Sequence, residues 1–597
     1  MKKLTLLSGL AAAFIITGCT QNNLSTPSNK TLTDKYTDKD LDVRYPITDT
    51  EKRKILHSKM IEINGKKYPL KYKTILKTGQ VLNGEIFGLL KDENGNPIRL
   101  EDGSYYICNG QYGGSGPDHT EFIEKDGKIF MITQFECGIG AIYQTELKQD
   151  KDGELYPVDL KFISQSAYHG GWVHCAGIKT PWNTFLGSEE YEPDARKLDP
   201  TTGKLKGDEF YNDKAMYFGG DIKKASPYYY GWITEVAIVN KNGADIYTKH
   251  YSMGRFAHEL AYVLPDKKTA YLTDDGTNCG FFMYKADKAS DLSAGTLYAA
   301  KWIQVDDKNG GRAILKWIKL GHATDDEIRE IVNEKPLFTD IFDIAKPEGA
   351  TCPAGFTSIN TRTGHECLRV KPGMEKAAAF LETRRYAAIK GATTEFRKAE
   401  GITYNPDNHK LYVAISQIAK GMEDKKKYGK PNPKYDLGGN NDIRLPVNKC
   451  GGVYALDLDN NYVAQNMYAV ITGIPMKYPK NSPYHNKYNK CSINSIANPD
   501  NITYLPGSNI LLIGEDTASH QIDLVWAFDT KTNKLSHRKA TTIYGSETTS
   551  VMWQPNINGE MYINFVDQHP YGESDQDKMK SPEDAQSIVG YFHIIKK

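Results

Sequence analysis

The sequence predicts an all-β protein: a six-bladed β-propeller with inserted loops and a few short helices. Two observations predict it. The 38 tyrosines and 52 glycines of the 597-residue chain favour strands and tight turns over helices. Six short hydrophobic runs also recur along the chain, most introduced by turn residues and most ending in polar or acidic ones. Propeller blades are short sheets whose strand ends meet at one mouth of a central channel. The irregular spacing of the runs implies insertions between blades. A β-sandwich, or several small β-domains, uses the same kinds of element, and the propeller is preferred on the pattern.

The elements follow in order. Lys2-Lys3 precede an apolar run, residues 4–16, which ends in Ile16-Thr17-Gly18-Cys19. This is a secretory signal with a lipobox, too short to span a bilayer. Cys19 is the expected lipidated first residue of the mature chain. Thr20, not Asp, follows it, so an outer-membrane lipoprotein facing the periplasm or the cell surface is expected. Residues 20–40 are rich in Ser, Thr, Asn and Lys and read as a flexible tether. Residues 41–597 then form a single domain. Its expected membrane contact is through the lipid alone. A net charge of +1 gives no electrostatic case for nucleic acid, and the protein is expected to act as a monomer.

The hydrophobic runs are Ile129-Phe130-Met131-Ile132 leading to Glu136, Thr184-Phe185-Leu186 leading to Glu189-Glu190, and Ala270-Tyr271-Leu272 leading to Asp274-Asp275. Then come Leu411-Tyr412-Val413-Ala414, Ile510-Leu511-Leu512-Ile513 leading to Glu515-Asp516, and Met561-Tyr562-Ile563-Asn564 leading to Asp567. Asp126-Gly127, Asp407-Asn408, Gly507-Ser508 and Asn558-Gly559 supply turns before four of them. Helices are expected over 325–334 and 372–389. Residues 421–448, rich in Lys, Gly, Pro and Asn, read as a long surface loop.

Eight cysteines remain besides Cys19, an even number for an oxidising compartment. Cys352 and Cys367 flank a loop that a disulfide would close, and Cys450 with Cys491 is a second plausible pair. A metal-ligating Cys175 would leave at least one other cysteine unpaired.

There is no Gly-x-Ser-x-Gly elbow, no phosphate-cradling glycine loop and no His-Glu-x-x-His. An active site must therefore be assembled from distant segments. Four such segments carry acids or a thiol: Cys175 with Glu189-Glu190, Gly254-Arg255-Phe256-Ala257-His258-Glu259, Glu400-Gly401, and Asn498-Pro499-Asp500-Asn501. Carboxylates are hard ligands for calcium and iron, and a thiolate binds iron tightly. Buried together, such groups need cations between them.

These segments carry a resemblance. Cys175-Ala176-Gly177 through Thr180-Pro181-Trp182-Asn183-Thr184-Phe185-Leu186 to Glu189-Glu190 resembles the PhoX-type alkaline phosphatases. So do Gly231-Trp232-Ile233-Thr234-Glu235, the Gly254–Glu259 hexapeptide, Glu400-Gly401-Ile402, Pro499-Asp500-Asn501, Glu547-Thr548-Thr549 and Gln568-His569-Pro570, in that order. The resemblance implies a propeller with ferric iron and calcium in its channel, hydrolysing small phosphate monoesters with a metal-bound oxygen as nucleophile. It implies Cys175 as thiolate ligand to iron and Glu259, Glu400 and Asp500 as carboxylate ligands, with Glu189 and Glu190 as candidates for the calcium shell. Glu136, Glu515 and Glu547 are weaker candidates, placed by strand-end logic. Arg397 and Lys398, just before Glu400, are expected to clamp the phosphate. Lys398-Ala399-Glu400 departs from the basic-Pro-Glu arrangement of the family, and lysines replace the twin arginines of its signals. His258 is expected to pack or support, Asp274-Asp275 to form a turn, and Arg384-Arg385 to be surface charges. Two other functions fit the same residues: a non-catalytic, calcium-stabilised propeller that binds a ligand or partner, and a calcium-dependent esterase or lactonase.

Overall fold

The computed structural model describes residues 37–109, 114–431 and 436–596. Cys19, the signal and the tether up to residue 36 lie outside the described residues. The end of the tether is folded: Asp38–Leu41 forms a 3-10 turn that buries Leu41, and Asp38 pairs with Lys67.

The chain is mostly sheet with few helices, and most of its described strands fall into six antiparallel meanders. The first is Gly114–Lys125, Lys128–Cys137, Ala141–Gln149 and Leu155–Phe162. The second is Ile178–Lys179, Phe185–Gly187, Ile233–Ile238 and Asp245–His250. The third is His258–Val263, Thr269–Asp274, Phe281–Lys288 and Asp291–Asp306, and the fourth Ala399–Asn405, Lys410–Ile415, Gly452–Asp457 and Asn466–Thr472. The fifth is Pro499–Leu505, Ile510–Glu515, Leu524–Asp529 and Lys534–Thr541. The sixth joins early and late parts of the chain: Glu547–Thr549 and Trp553–Ile557 share one edge of Glu560–Gln568, whose other edge pairs with Ile588–Ile594, which pairs with the early strand Lys66–Lys77. All six hydrophobic runs of the sequence are strands, and each is the second strand of its meander. The turns before them obey local chemistry. Asp126 (φ +50°) and Gly127 (φ +81°) both take the left-handed conformation of a two-residue hairpin turn, as do Asn558 and Gly559.

Apolar residues of consecutive meanders share cores. Phe130 and Ile132 cluster with Phe185 and Val236, Trp302 with Val413 and Tyr454, Tyr412 with Ile513 and Trp526, and Leu512 with Phe565 and Phe592. The sixth meander meets the first through Phe122 and Tyr562, whose rings lie edge to face at 6.2 Å. The long strand Arg312–Thr324 pairs with the third meander and, at its start, with the fourth, fusing the two into one sheet.

An insert between these meanders carries the three longest described helices. One is Asp325–Asn333, capped by Thr324 and Glu327. The expected helix over 372–389 is two helices, Glu375–Leu381 and Thr383–Ile389. They break at Glu382, whose carboxylate is committed to Tyr228 Oη at 2.9 Å and Arg385 at 2.7 Å. Arg384 and Arg385 are buried, not surface charges. The segment 421–448 is irregular as expected, but Met422, Ile443 and Leu445 anchor it in the core; its residues 432–435 lie outside the described residues. Three disulfides form, Cys108–Cys137, Cys352–Cys367 and Cys450–Cys491, and Cys175 and Cys279 are free and buried.

Candidate metal centre

Four meanders repeat one local device. In the third, the register slips by one residue between His258 and Ala261; in the fourth, between Ala399 and Ile402. In the fifth it slips between Pro499 and Ile502, and in the first between Pro117 and Thr120. Each slip is a β-bulge near the start of the meander's first strand, and bulges re-aim side chains. The residues held inside them are Glu259, Glu400, Asp500 and Asp118. The strands lie close at this level: a Cβ on Gly401 would come within 2.6 Å of the Asp500 carbonyl. Only glycine permits that approach.

The carboxylates converge. Possible ligand atoms of Cys175, Glu190 and Glu259 lie within 4.8 Å of one another, as do those of Glu259, Glu400 and Asp500, and those of Asp500, Asp516 and Glu547. The three triads share Glu259 and Asp500, so they form one continuous cluster. Cys175 Sγ is 3.2 Å from Glu259 Oε2 and 3.4 Å from Asp118 Oδ2. Around the edge, Tyr191 donates to Asp275 Oδ2 at 2.6 Å, Gln568 donates to Glu136 Oε2 at 3.0 Å, and His569 Nε2 lies 3.2 Å from Glu547 Oε2. His258 is packed, with Nε2 2.8 Å from the Gly254 carbonyl.

Burial first, and repulsion by neighbours second, push six acids of this cluster toward neutrality, whereas Asp275, against its burial, is held down at about 2 by Lys398. The carboxyls of Asp118, Glu190, Glu259, Glu400, Asp500 and Glu547 all lie well above the usual carboxylate range. The Cys175 thiol is raised by burial and by Asp118 and Glu259. Among the described residues one ammonium faces them. Lys398 Nζ is 3.2 Å from Glu400 Oε1 and 3.3 Å from Asp516 Oδ2. Burial would lower its pKa, but Glu400, Asp275 and Asp516 outweigh burial and raise it well above the ordinary lysine value. The backbone of Lys398 holds φ at +48°, fixed by hydrogen bonds to the Gly276 carbonyl (2.8 Å) and from the Ser416 amide (2.9 Å). Arg397 faces Thr277 Oγ1 at 2.6 Å and Gln417 Oε1 at 3.2 Å, so its guanidinium serves the rim and not the cluster.

Three acidic doublets show how the chain sorts its acids. Glu189 is paired with Lys249 at 2.7 Å and accepts from the Gly231 and Trp232 amides, whereas Glu190 joins the cluster. Asp274 accepts from Arg384 Nε at 2.8 Å, whereas Asp275 bonds Tyr191 beside Glu190. Glu515 accepts from Trp526 Nε1 at 2.7 Å and lies 2.9 Å from His520 Nδ1, whereas Asp516 joins the cluster. In extended chain, neighbouring side chains point to opposite sides. The first acid of each doublet goes into the protein and finds a base; the second goes to the cluster. Of the residues singled out in the sequence, Cys175, Glu190, Glu259, Glu400, Asp500, Glu547 and Lys398 come together, and Glu136 stands at the edge. Glu189 and Glu515 are engaged elsewhere. Sequence reasoning missed Asp118, Asp275 and Asp516. Asp118 had a signal: Pro117-Asp118 sits at the same bulge position as Pro499-Asp500.

Three carboxylate oxygens of the site, Asp118 Oδ1, Asp275 Oδ1 and Glu400 Oε1, are buried without a hydrogen-bond partner, and only the last has an ammonium, that of Lys398, at ion-pair distance. Such atoms are costly unless something positive meets them. The donor set suits cations: a mixed thiolate–carboxylate triad at Cys175 fits iron, and the two all-oxygen triads fit calcium.

Comparison with known proteins gives the same direction. The family model of alkaline phosphatase PhoX matches residues 161–570. No curated protein matches the chain in sequence. Among solved structures, the fold is similar to that of Pseudomonas fluorescens PhoX in complex with vanadate, a transition state analogue, with TM-score 0.55 and 15% identity over 93% of this chain and 97% of that one. A putative 6-phosphogluconolactonase from Bacteroides uniformis overlaps far more loosely, with TM-score 0.27 and 11% identity over 79% of this chain and 87% of that one. The same holds for the periplasmic gluconolactonase PpgL of Pseudomonas aeruginosa, with TM-score 0.29 and 9% identity over 77% and 96% of the two chains.

Proposed function

The chain belongs to the PhoX family of alkaline phosphatases, and from that premise we propose that it hydrolyses small phosphate monoesters at the carboxylate cluster. We read the six meanders as the blades of a six-bladed propeller and the cluster as sitting in its channel. Face-to-face packing of successive meanders supports this reading, as does the closure of the last onto the first through Phe122 and Tyr562.

One observation carries the assignment: three ligand triads, contributed by segments spread over more than half the chain, share Glu259 and Asp500 in one buried place. Ferric iron at Cys175, Glu190 and Glu259 and calcium at the oxygen triads fit the residues present. When bound, such ions supply Lewis acidity that neutralises phosphate charge and acidifies a water. The chain's own residues do the rest. The bulges hold Asp118, Glu259, Glu400 and Asp500 in fixed directions, so that little reorganisation is needed on binding. Lys398 offers an ammonium to the phosphoryl oxygens from the edge of the cluster, and Arg397 fixes Gln417 beside it. Tyr191 and His569 hold Asp275 and Glu547 in place.

The test is a metal inventory of purified protein together with hydrolysis of p-nitrophenyl phosphate with and without calcium. Iron and calcium with calcium-dependent turnover support the reading. Calcium alone without turnover overturns it and leaves a ligand-binding propeller or an esterase. Lys398→Ala is expected to retain the metals and lose about 10- to 100-fold in kcat/KM, a loss of phosphate contact alone. Attachment to the outer membrane through Cys19 completes the proposal. Membrane fractionation of Cys19→Ser, expected to release the protein or block its processing, tests it.

A further inference from the structure

Beside the cluster opens a cleft of about 380 Å³, and Lys398 and Asp516 are part of its wall. Three other charged residues line it: Lys449, Lys490 and Glu573. Glu573 is turned onto Asp516, with which it shares a hydrogen bond. Lys398 is taken up by Glu400 and Asp516. Lys449 and Lys490 differ. Among the described residues neither has a carboxylate within ion-pair distance. Lys449 Nζ rests over the ring of Tyr428, 3.9 Å from its centroid, and Lys490 Nζ reaches only the Ala518 carbonyl at 3.4 Å.

The chain holds the backbones of these two exposed lysines together. Each directly precedes a cysteine of the same disulfide, Cys450–Cys491, whose Cα atoms are 6.0 Å apart. The backbone on both sides is tied to the cluster. Asn498 donates to the Lys449 carbonyl at 3.0 Å, and its own carbonyl accepts from the Asp516 amide at 3.1 Å. The amides of Lys490 and Cys491 both donate to the Ser519 carbonyl, three residues beyond Asp516. One covalent bond therefore ties together the backbones that carry two exposed, unneutralised lysines in the wall of a cleft beside the cluster.

We propose that Lys449 and Lys490 form a second anion subsite, and that the preferred substrates are small phosphate monoesters whose leaving group carries an anion of its own, a second phosphate or a carboxylate. The proposal rests on the phosphatase reading above and names its substrate class. The scissile phosphate lies at the cluster and Lys398; the far anion lies between Lys449 and Lys490. Uncompensated charge at the rim of a cleft concentrates anions and selects among them. A cleft of this size holds a phosphorylated small molecule.

The test compares fructose 1,6-bisphosphate with p-nitrophenyl phosphate on the metal-loaded protein, and calorimetric binding of pyrophosphate with that of inorganic phosphate. In Lys449→Gln/Lys490→Gln the ratio of kcat/KM for the bisphosphate over the nitrophenyl ester is expected to fall about tenfold, through KM. The pyrophosphate-to-phosphate affinity ratio falls with it. Cys450→Ser/Cys491→Ser, if its melting shows it folded, loses part of the same ratio. Both ratios unchanged in the lysine variant, with the nitrophenyl ester still hydrolysed, overturns the subsite. If the wild-type protein hydrolyses no phosphate ester, the phosphatase reading fails, and the calorimetric ratio still decides whether the lysine pair selects a second anion.

Discussion

Around the insert helix Thr383–Ile389, each acid meets an arginine, and each of the two buried arginines serves more than one acid. Asp274 accepts from Arg384 at 2.8 Å, Glu192 pairs with Arg384 at 2.6 Å, and Glu366 and Glu382 each pair with Arg385 at 2.7 Å. Asp275, next in the chain to Asp274, belongs to other surroundings. There Glu190, Glu259, Glu400, Asp500, Asp516 and Glu547 gather with Cys175, and Lys398 is the one ammonium paired with them among the described residues. The first region is electrostatically complete as folded. The second lacks positive charge, and its orphaned oxygens on Asp118, Asp275 and Glu400 mark where. The contrast separates charges that build the fold from charges that wait for a ligand. Removing one should act oppositely in the two places.

The largest expected effect is on catalysis. Glu400→Ala removes a carboxylate from the triad it forms with Glu259 and Asp500. It is expected to lower kcat by at least about a thousandfold and to lower bound metal, while export and folding persist. Steady-state kinetics and elemental analysis on the same sample check both. Full activity with normal metal content would place the chemistry elsewhere.

The next effect belongs to the balanced region. Arg384→Met leaves Asp274 buried without its guanidinium and Glu192 with Arg362 alone. The expected cost is about 3–5 kcal/mol of stability, because a stranded buried charge is worse than a missing pair. Thermal melting of the metal-loaded variant measures it. A loss below about 1 kcal/mol would mean that this network is no more than surface decoration, as the sequence suggested.

That suggestion shows how far the sequence can be read. The six strand runs were visible because alternation and turn residues are local signals. So were the helix 325–334 and two of the three disulfides. The partners of Arg384 were not visible: they lie 110 and 192 residues away in the chain, and two adjacent arginines on a helix look solvated until those acids arrive. The doublets failed for a related reason. Glu189 and Glu190 are equivalent by type, and only the face of the strand separates them. Asp274-Asp275 looked like a turn, and Glu515 seemed preferable to Asp516 because it sits at the strand's end. Period-two geometry says that one member of each doublet faces inward, but not which one. The bulges that aim Glu259, Glu400 and Asp500 are properties of strand pairing, so no single segment announces them. The ordered family blocks found those three acids where local physics alone did not.

The smallest effect sharpens the contrast most, because it concerns sign. Glu259 sits in two of the three triads, and in metal-free protein its neighbours Asp500 and Glu400 raise its pKa after burial has done so. Glu259→Gln keeps the shape and removes the repulsion. In metal-free protein it is expected to raise stability by about 1 kcal/mol near pH 8. The pH dependence follows from the raised pKa. A carboxyl that is more easily protonated folded than unfolded gives the folded state the extra proton, so its contribution is present below the unfolded pKa and is lost as pH rises toward the folded one. Metal-free wild-type protein should therefore weaken from mildly acid to alkaline pH, and the gain from Glu259→Gln should grow over the same interval. With metals bound the sign reverses, since the variant has then lost a ligand. Melting curves of wild type and variant, with and without chelator, at pH 5.5 and pH 8.5 give the four differences needed. If Glu259→Gln destabilises the metal-free protein at pH 8.5, the acids are not held against their mutual repulsion, and the distinction between the two regions collapses.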